Sequence, residues 1–85
     1  MPYTVLLRPA AERDLKKLPP EVRSRIKDVL LSLEQDPLPP GVTKLTDSSN
    51  LWRIRCGDYR ILFEIDDTAR TVLVLRIAHR REAYR

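Results

Sequence analysis

Residues 51–65 read LWRIRCGDYRILFEI. The stretch alternates as a strand does, breaks at Gly57-Asp58, and alternates again. One phase is apolar: Trp52, Ile54, Tyr59, Ile61 and Phe63. The other carries Arg53, Arg55 and Arg60. A two-residue Gly-X loop between alternating runs predicts a β-hairpin. With Gly57-Asp58 as the loop, Cys56 faces Tyr59, Arg55 faces Arg60, Ile54 faces Ile61 and Trp52 faces Phe63. Two arginines directly opposite one another repel and weaken the sheet. Such a pair calls for an anion between them.

Working outward, Asp66 to Arg70 reads as a turn and Thr71 to Ile77 as a third strand of the meander. If Ile65 pairs with Thr71, Phe63 aligns with Leu73, Ile61 with Leu75 and Tyr59 with Ile77. On the other face Leu62 aligns with Val74 and Arg60 with Arg76. Arg55, Arg60 and Arg76 then form a row across three strands, with Arg53 two residues along, in a register that a bulge would shift. The tail, Ala78 to Arg85, is polar and too short for a stable helix of its own. It brings His79, Arg80, Arg81, Glu82 and Tyr84 beside that row.

Upstream, Tyr3 to Arg8 reads as a short strand. Pro9 suits the first turn of a helix, and Ala11, Leu15 and Leu18 recur at helical spacing until Pro19-Pro20. Pro20 opens a second helix with Val22, Ile26, Val29, Leu30 and Leu33 on one face, ended by Pro37, Pro39, Pro40 and Gly41. The basic residues of these helices read as solvated surface. Val42 to Asn50 reads as a polar loop in which Lys44 is a candidate ligand contact. The order strand, helix, helix, three strands predicts an α+β fold: two N-terminal helices on a small, mostly antiparallel, four-stranded sheet.

A chain of 85 residues with 33% charged and 42% hydrophobic residues fits a single soluble domain, 1–85, with one small core. The formal net charge is +4. From Leu51 onward every basic side chain save His79 is arginine, the residue suited to bidentate phosphate contact. Nucleic acid is therefore the leading partner, although charge alone fits an acidic protein surface equally well. The single Cys56 forms no intrachain disulfide and suits a reducing cytosol. The N-terminus lacks the basic region of a signal peptide, and no run approaches the roughly 18 apolar residues of a membrane helix.

Aligned arginines can bind a phosphodiester and stabilise the added charge of a phosphorane. They cannot act as bases, because they stay protonated. RNA supplies its own nucleophile, the 2′-hydroxyl, so a ribonuclease built here needs one group to accept that proton and another to protonate the leaving 5′-oxygen. His79, Glu82 and Tyr84 are the candidates; His79 alone is equally a surface or hinge residue. Trp52, Tyr59 and Phe63 fall on the core face rather than on a base-stacking platform. One histidine and one cysteine do not make a zinc site.

Four segments in order carry a resemblance: AERDLKKLP near the start, Lys44-Leu45, LWRIRCGDYRILFEI, and VLVLRIAHRREAY at the end. Together they resemble a RelE-type toxin of the RelE/ParE superfamily of toxin–antitoxin pairs, over nearly the whole chain. The resemblance implies a small ribonuclease-like sheet with two N-terminal helices. It also implies metal- and cofactor-independent cleavage of mRNA in the ribosomal A site, by 2′-hydroxyl attack that leaves a 2′,3′-cyclic phosphate. The implied catalytic positions are Arg53 and Arg55, where the family typically has lysines, with Arg60, Arg80 and Tyr84. Because arginine is a poor base, His79 or Glu82 is expected to take up proton transfer with Tyr84 assisting. Lys44, Arg76, Arg81 and Arg85 are the expected RNA contacts. Implied partners are the ribosome and mRNA, and a RelB-like antitoxin in a hetero-oligomer that binds operator DNA through the antitoxin. Two rivals are a ParE-like DNA gyrase inhibitor on the same fold and a non-catalytic basic binding module.

Overall fold

The computed structural model describes residues 2–45 and 50–79. In chain order they form β1 (Thr4–Leu7), α1 (Pro9–Lys17), α2 (Pro20–Gln35), β2 (Val42–Lys44), β3 (Leu51–Cys56), β4 (Tyr59–Asp66) and β5 (Thr71–His79). The strands make one sheet in the order β1-β5-β4-β3-β2. β1 runs parallel to β5, and the other pairings are antiparallel.

The α+β class and the mostly antiparallel sheet are as expected, but the sheet has five strands, not four. The additional strand is β2, inside the segment read as a polar loop. Val42, Thr43 and Lys44 pair with Ile54, Arg53 and Trp52. Three residues of mixed polarity show no period; only the open edge of β3 makes them a strand. Gly41, at φ +93°, turns the chain after Pro39-Pro40 into that pairing.

Both helices begin at a proline, whose missing N–H is one that no first-turn residue could pair anyway. The end of α1 is closed by α2: the Arg23 guanidinium donates to the Leu18 carbonyl at 3.0 Å and the Lys16 carbonyl at 3.4 Å. Arg23 is thus a clasp of the helical hairpin and not simply solvated surface. Ala11 of α1, Leu18 just past its end, and Ile26, Leu30 and Leu33 of α2 are buried in one cluster with the sheet's inner face. That face supplies Ile54, Ile61, Phe63, Ile65, Val72, Val74 and Ile77, with Trp52 and Tyr59 packed at its margin.

The β3–β4 hairpin has the expected register at every pair from Cys56–Tyr59 to Trp52–Phe63. Gly57 sits at φ +60°, the conformation that a Gly-first two-residue loop requires. The β4–β5 register differs from the expected one. Asp66, not Ile65, pairs with Thr71, and Ile65 to Phe63 face Val72 to Val74. A bulge then takes up Leu75, so Leu62 faces Arg76, Ile61 faces Ile77, Arg60 faces Ala78 and Tyr59 faces His79. The cause is the apolar run Val72-Leu73-Val74-Leu75, which has no alternation to fix a face. The bulge re-phases the strand so that Val72, Val74 and Ile77 all reach the core.

The loop between β4 and β5 is tied to the chain start. Tyr3 Oη donates to Asp67 at 2.6 Å, and the Arg70 guanidinium lies 5.3 Å from the Tyr3 ring centroid. The Asp67 hydrogen bond, which favours the protonated phenol, raises the Tyr3 pKa.

Candidate functional site

The outer face of the sheet, away from the helices, carries the arginine phase of the hairpin. Arg55 stands directly opposite Arg60, and Arg53 stands opposite Leu62, diagonal to Arg60. Thr43 of β2 flanks Arg53 on its other side. Gly41, Thr43, Arg53, Arg55 and Arg60 together line a pocket of ≈ 200 Å³. Drug-sized ligands occupy roughly 300–1,000 Å³, so this cavity suits a single phosphate group rather than a whole nucleotide.

The three arginines are not equivalent. Arg55 is exposed and Arg53 half-buried, whereas Arg60 is only 6% exposed. β4 lies between β3 and β5, so the Arg60 stem is walled by neighbouring strands, and the residue lines the pocket with Arg53 and Arg55. A charge removed from bulk water acts through a lower effective dielectric and attracts an anion more strongly. A second guanidinium directly opposite adds to that pull.

Other residues expected at the site lie elsewhere. Arg76 is not in the row, because the bulge sets it opposite Leu62 and Ala78 takes the place opposite Arg60. Its guanidinium is held by Asp14 of α1, with Nε–Oδ2 at 2.8 Å and Nη2–Oδ1 at 3.2 Å. Lys44 pairs with Trp52, on the helix-side phase of β3, and its Nζ lies 5.6 Å from the Trp52 ring centroid. Its neighbour Thr43 is the β2 side chain that reaches the arginines. His79 pairs with Tyr59 and meets that ring edge-on at 5.2 Å. It shares a cavity of ≈ 190 Å³ with Asp14, Lys17, Leu18 and Ile77 on the helix side of the sheet. The expected place of His79 beside the arginines is thereby corrected: strand alternation puts its ring on the opposite face. Arg80, Arg81, Glu82, Tyr84 and Arg85 lie outside the described residues.

Sequence reading missed Thr43 and Gly41, for which the short β2 gives no pattern, and Asp14. The Asp14 carboxylate, 15% exposed, also accepts the Ile77 N–H at 2.9 Å. Burial alone would raise its pKa. The Arg76 hydrogen bonds, the Ile77 amide, and the charges of Arg76 and Lys17 outweigh that and hold it below the ordinary carboxylate value. A depressed folded-state pKa stabilises the fold above the unfolded value of about 3.9, and the contribution is lost as pH falls through the folded value. The melting-temperature gap between the natural chain and Asp14→Asn should therefore be full at pH 6 and close as pH falls below about 3.9. A gap that is the same at pH 6 and pH 2.5 in thermal melts contradicts this account.

A larger cavity, ≈ 570 Å³, lies at the far end of the sheet and is lined by Asn50, Glu64, Asp66, Asp67 and Thr71 among others. Its carboxylates disfavour a phosphate. Among the described residues, the arginine pocket is the cavity with the charge a polyanion needs.

Comparison with known proteins adds four findings. A family model described as the ParE toxin of the type II toxin–antitoxin system parDE matches residues 5–84. Toxin RelG of Mycobacterium tuberculosis is 38% identical over 86 residues, spanning 100% of this chain and 99% of that protein. Among solved structures, the toxin–antitoxin complex RelBE2 of Mycobacterium tuberculosis matches with a TM-score of 0.83 and 36% identity, covering 93% of this chain and 99% of that one. The archaeal RelE–RelB complex of Pyrococcus horikoshii OT3 matches with a TM-score of 0.84 and 27% identity, covering 94% and 97%.

Proposed function

Since the chain belongs to the RelE/ParE superfamily as a RelE-type toxin of a type II toxin–antitoxin system, we propose that it is a ribosome-dependent endoribonuclease that cleaves mRNA in the A site. The observation that carries this reading is the pocket in which Arg53, Arg55 and the buried Arg60 converge.

The scissile phosphodiester enters with its non-bridging oxygens toward the guanidiniums. The mRNA 2′-hydroxyl attacks the phosphorus, the bond to the 5′-oxygen of the next nucleotide breaks, and a 2′,3′-cyclic phosphate remains. On the way the phosphoryl oxygens gain negative charge. Arg60, fixed by the strands around it, meets that charge without reorganising, which is how preorganised donors lower a barrier. Arg53 and Arg55 neutralise and align the backbone from the exposed side. None of the three moves a proton. Among the described residues the pocket offers only the Thr43 hydroxyl besides the arginines, and Thr43 is no base. Proton transfer therefore falls to the segment after β5, where Glu82 and Tyr84 are the candidates and Arg80 a further phosphate contact, or to the ribosome and the RNA itself.

A cognate RelB-like antitoxin follows from the same reading. Two solved structures similar to this chain are toxin–antitoxin complexes. Binding such a partner to the native state raises its stability by mass action, and covering a mutually repelling arginine face adds to the gain. The hetero-oligomer binds its own operator through the antitoxin.

The description of the matching family model favours a second reading, a ParE-like inhibitor of DNA gyrase. One induction experiment separates the two. Mapping mRNA 5′ ends on ribosomes after induction should show new ends within translated codons at the A site, with no DNA-damage signalling. Growth arrest with damage signalling and without new 5′ ends selects the gyrase reading instead.

A further inference from the structure

β5 outlasts its parallel neighbour. The β1–β5 pairing ends at Leu7–Val74, and the Arg8 N–H closes it on the Val74 carbonyl at 2.9 Å. The chain then turns into α1 at Pro9. Among the described residues, β5 from Leu75 to His79 has β4 on one side and no strand on the other. Asp14 of α1 stands in that gap. Its Oδ2 accepts the Ile77 N–H at 2.9 Å and the Arg76 Nε at 2.8 Å, and its Oδ1 accepts Arg76 Nη2 at 3.2 Å. One carboxylate thus takes the backbone N–H of Ile77 and the side chain of Arg76, the two residues that follow the bulge.

The bulge decides what faces Arg60. Without the extra residue, the register running from Asp66–Thr71 to Phe63–Val74 would continue as Leu62–Leu75, Ile61–Arg76 and Arg60–Ile77. Arg76 would then share the core phase with Ile61, and Ile77 would crowd Arg60 on the outer face. With the bulge, Ala78 stands opposite Arg60, Ile77 is buried, and Arg76 is drawn toward α1. An alanine methyl is a small neighbour that leaves room for the stem of Arg60, which is only 6% exposed.

We propose that Asp14 is a positioning residue for the arginine pocket: from α1, it locks the register after the bulge that places Ala78 across from Arg60. A ladder that slips by one residue changes the face of every side chain in it, so a single carboxylate can govern a guanidinium on the far side of the sheet. The inference takes its activity readout from the ribonuclease reading, while the register it invokes is measured independently.

The test compares the natural chain with Asp14→Ala, Asp14→Asn, Arg60→Met and Val29→Ala. Val29 of α2 packs against the core away from β5, and its truncation serves as a control for lowered stability alone. Two quantities are read: single-turnover cleavage on programmed ribosomes across ribosome concentrations, and cross-strand NMR contacts between Arg60 and Ala78 in the free toxin. Asp14→Ala should slow the saturated cleavage rate about tenfold, since small misplacements of a catalytic group cost one to two orders of magnitude. Its half-saturating ribosome concentration should hold within about twofold, because Arg53 and Arg55 still bind the backbone. Its Arg60–Ala78 contacts should weaken or move to Ile77. Asp14→Asn keeps an oxygen for the Ile77 amide, so it should fall between and serves where Asp14→Ala does not fold. Arg60–Ala78 contacts of natural strength in both Asp14 variants overturn the proposal. So does a Val29→Ala rate as low as that of Asp14→Ala at equal melting temperature. If Arg60→Met cleaves like the natural chain, the ribonuclease reading of the pocket falls, and the NMR contacts alone then decide whether Asp14 sets the register.

Discussion

Arg60→Met should lower mRNA cleavage by about 10²–10³-fold, the loss seen when one preorganised charge-stabilising donor is removed from an active site. The melting temperature should stay the same or rise. Methionine keeps most of the buried volume in a position that is 6% exposed, and the change removes the like charge facing Arg55. Loss of activity without loss of stability is the signature of a group retained for chemistry at the fold's expense. Growth inhibition on induction, 5′-end mapping and a thermal melt measure it together. A variant that arrests growth as well as the natural toxin removes Arg60 from the reaction. A variant that melts far below it shows instead that the guanidinium holds the sheet together. Arg55→Ala, at the exposed side of the same pair, should weaken binding more than the saturated rate.

Phe63→Ala should be the most damaging single change in the core. Phe63 is fully buried at the centre of β4, opposite Trp52 on one side and Val74 on the other. Phe-to-Ala truncations in cores cost about 3–5 kcal/mol, part lost transfer energy and part cavity. Domains of this size have only about 5–15 kcal/mol in total. At roughly 4–8 °C per kcal/mol, the melting temperature should drop by more than about 12 °C. Phe63→Leu, which keeps most of the volume, should cost under about 1.5 kcal/mol. A denaturant titration giving equal midpoints for the two variants contradicts the placement of the core.

What the sequence disclosed, it disclosed through local rules. A glycine-led two-residue loop fixes its own register, so each hairpin pair was readable from Gly57-Asp58. Pro9 and Pro20 marked both helix starts, and the helical spacing named the residues that are buried. What stayed hidden depends on distant neighbours. Val42–Lys44 becomes a strand only because β3 has an open edge. The run Val72 to Leu75 is apolar at every position, so no pattern could announce the bulge. One displaced residue then sent Arg76 to Asp14 and put His79 beside Tyr59. The arginine pocket was legible in Arg53, Arg55 and Arg60; its support from Asp14 was not, because an acidic residue on a helix surface looks like any other.

The strand order has a consequence for the order in which the toxin can assemble. β1 is synthesised first, yet its place in the sheet is beside β5, with Thr4 next to Thr71. The two helices that leave β1 bury their apolar faces against strands that follow them. Contacts of such sequence separation close late. Before β5 has been made, β1 has no strand to pair with, and Arg60 is flanked by β3 on one side only. The arginine pocket therefore has both its neighbouring strands only once the last strand has joined the sheet.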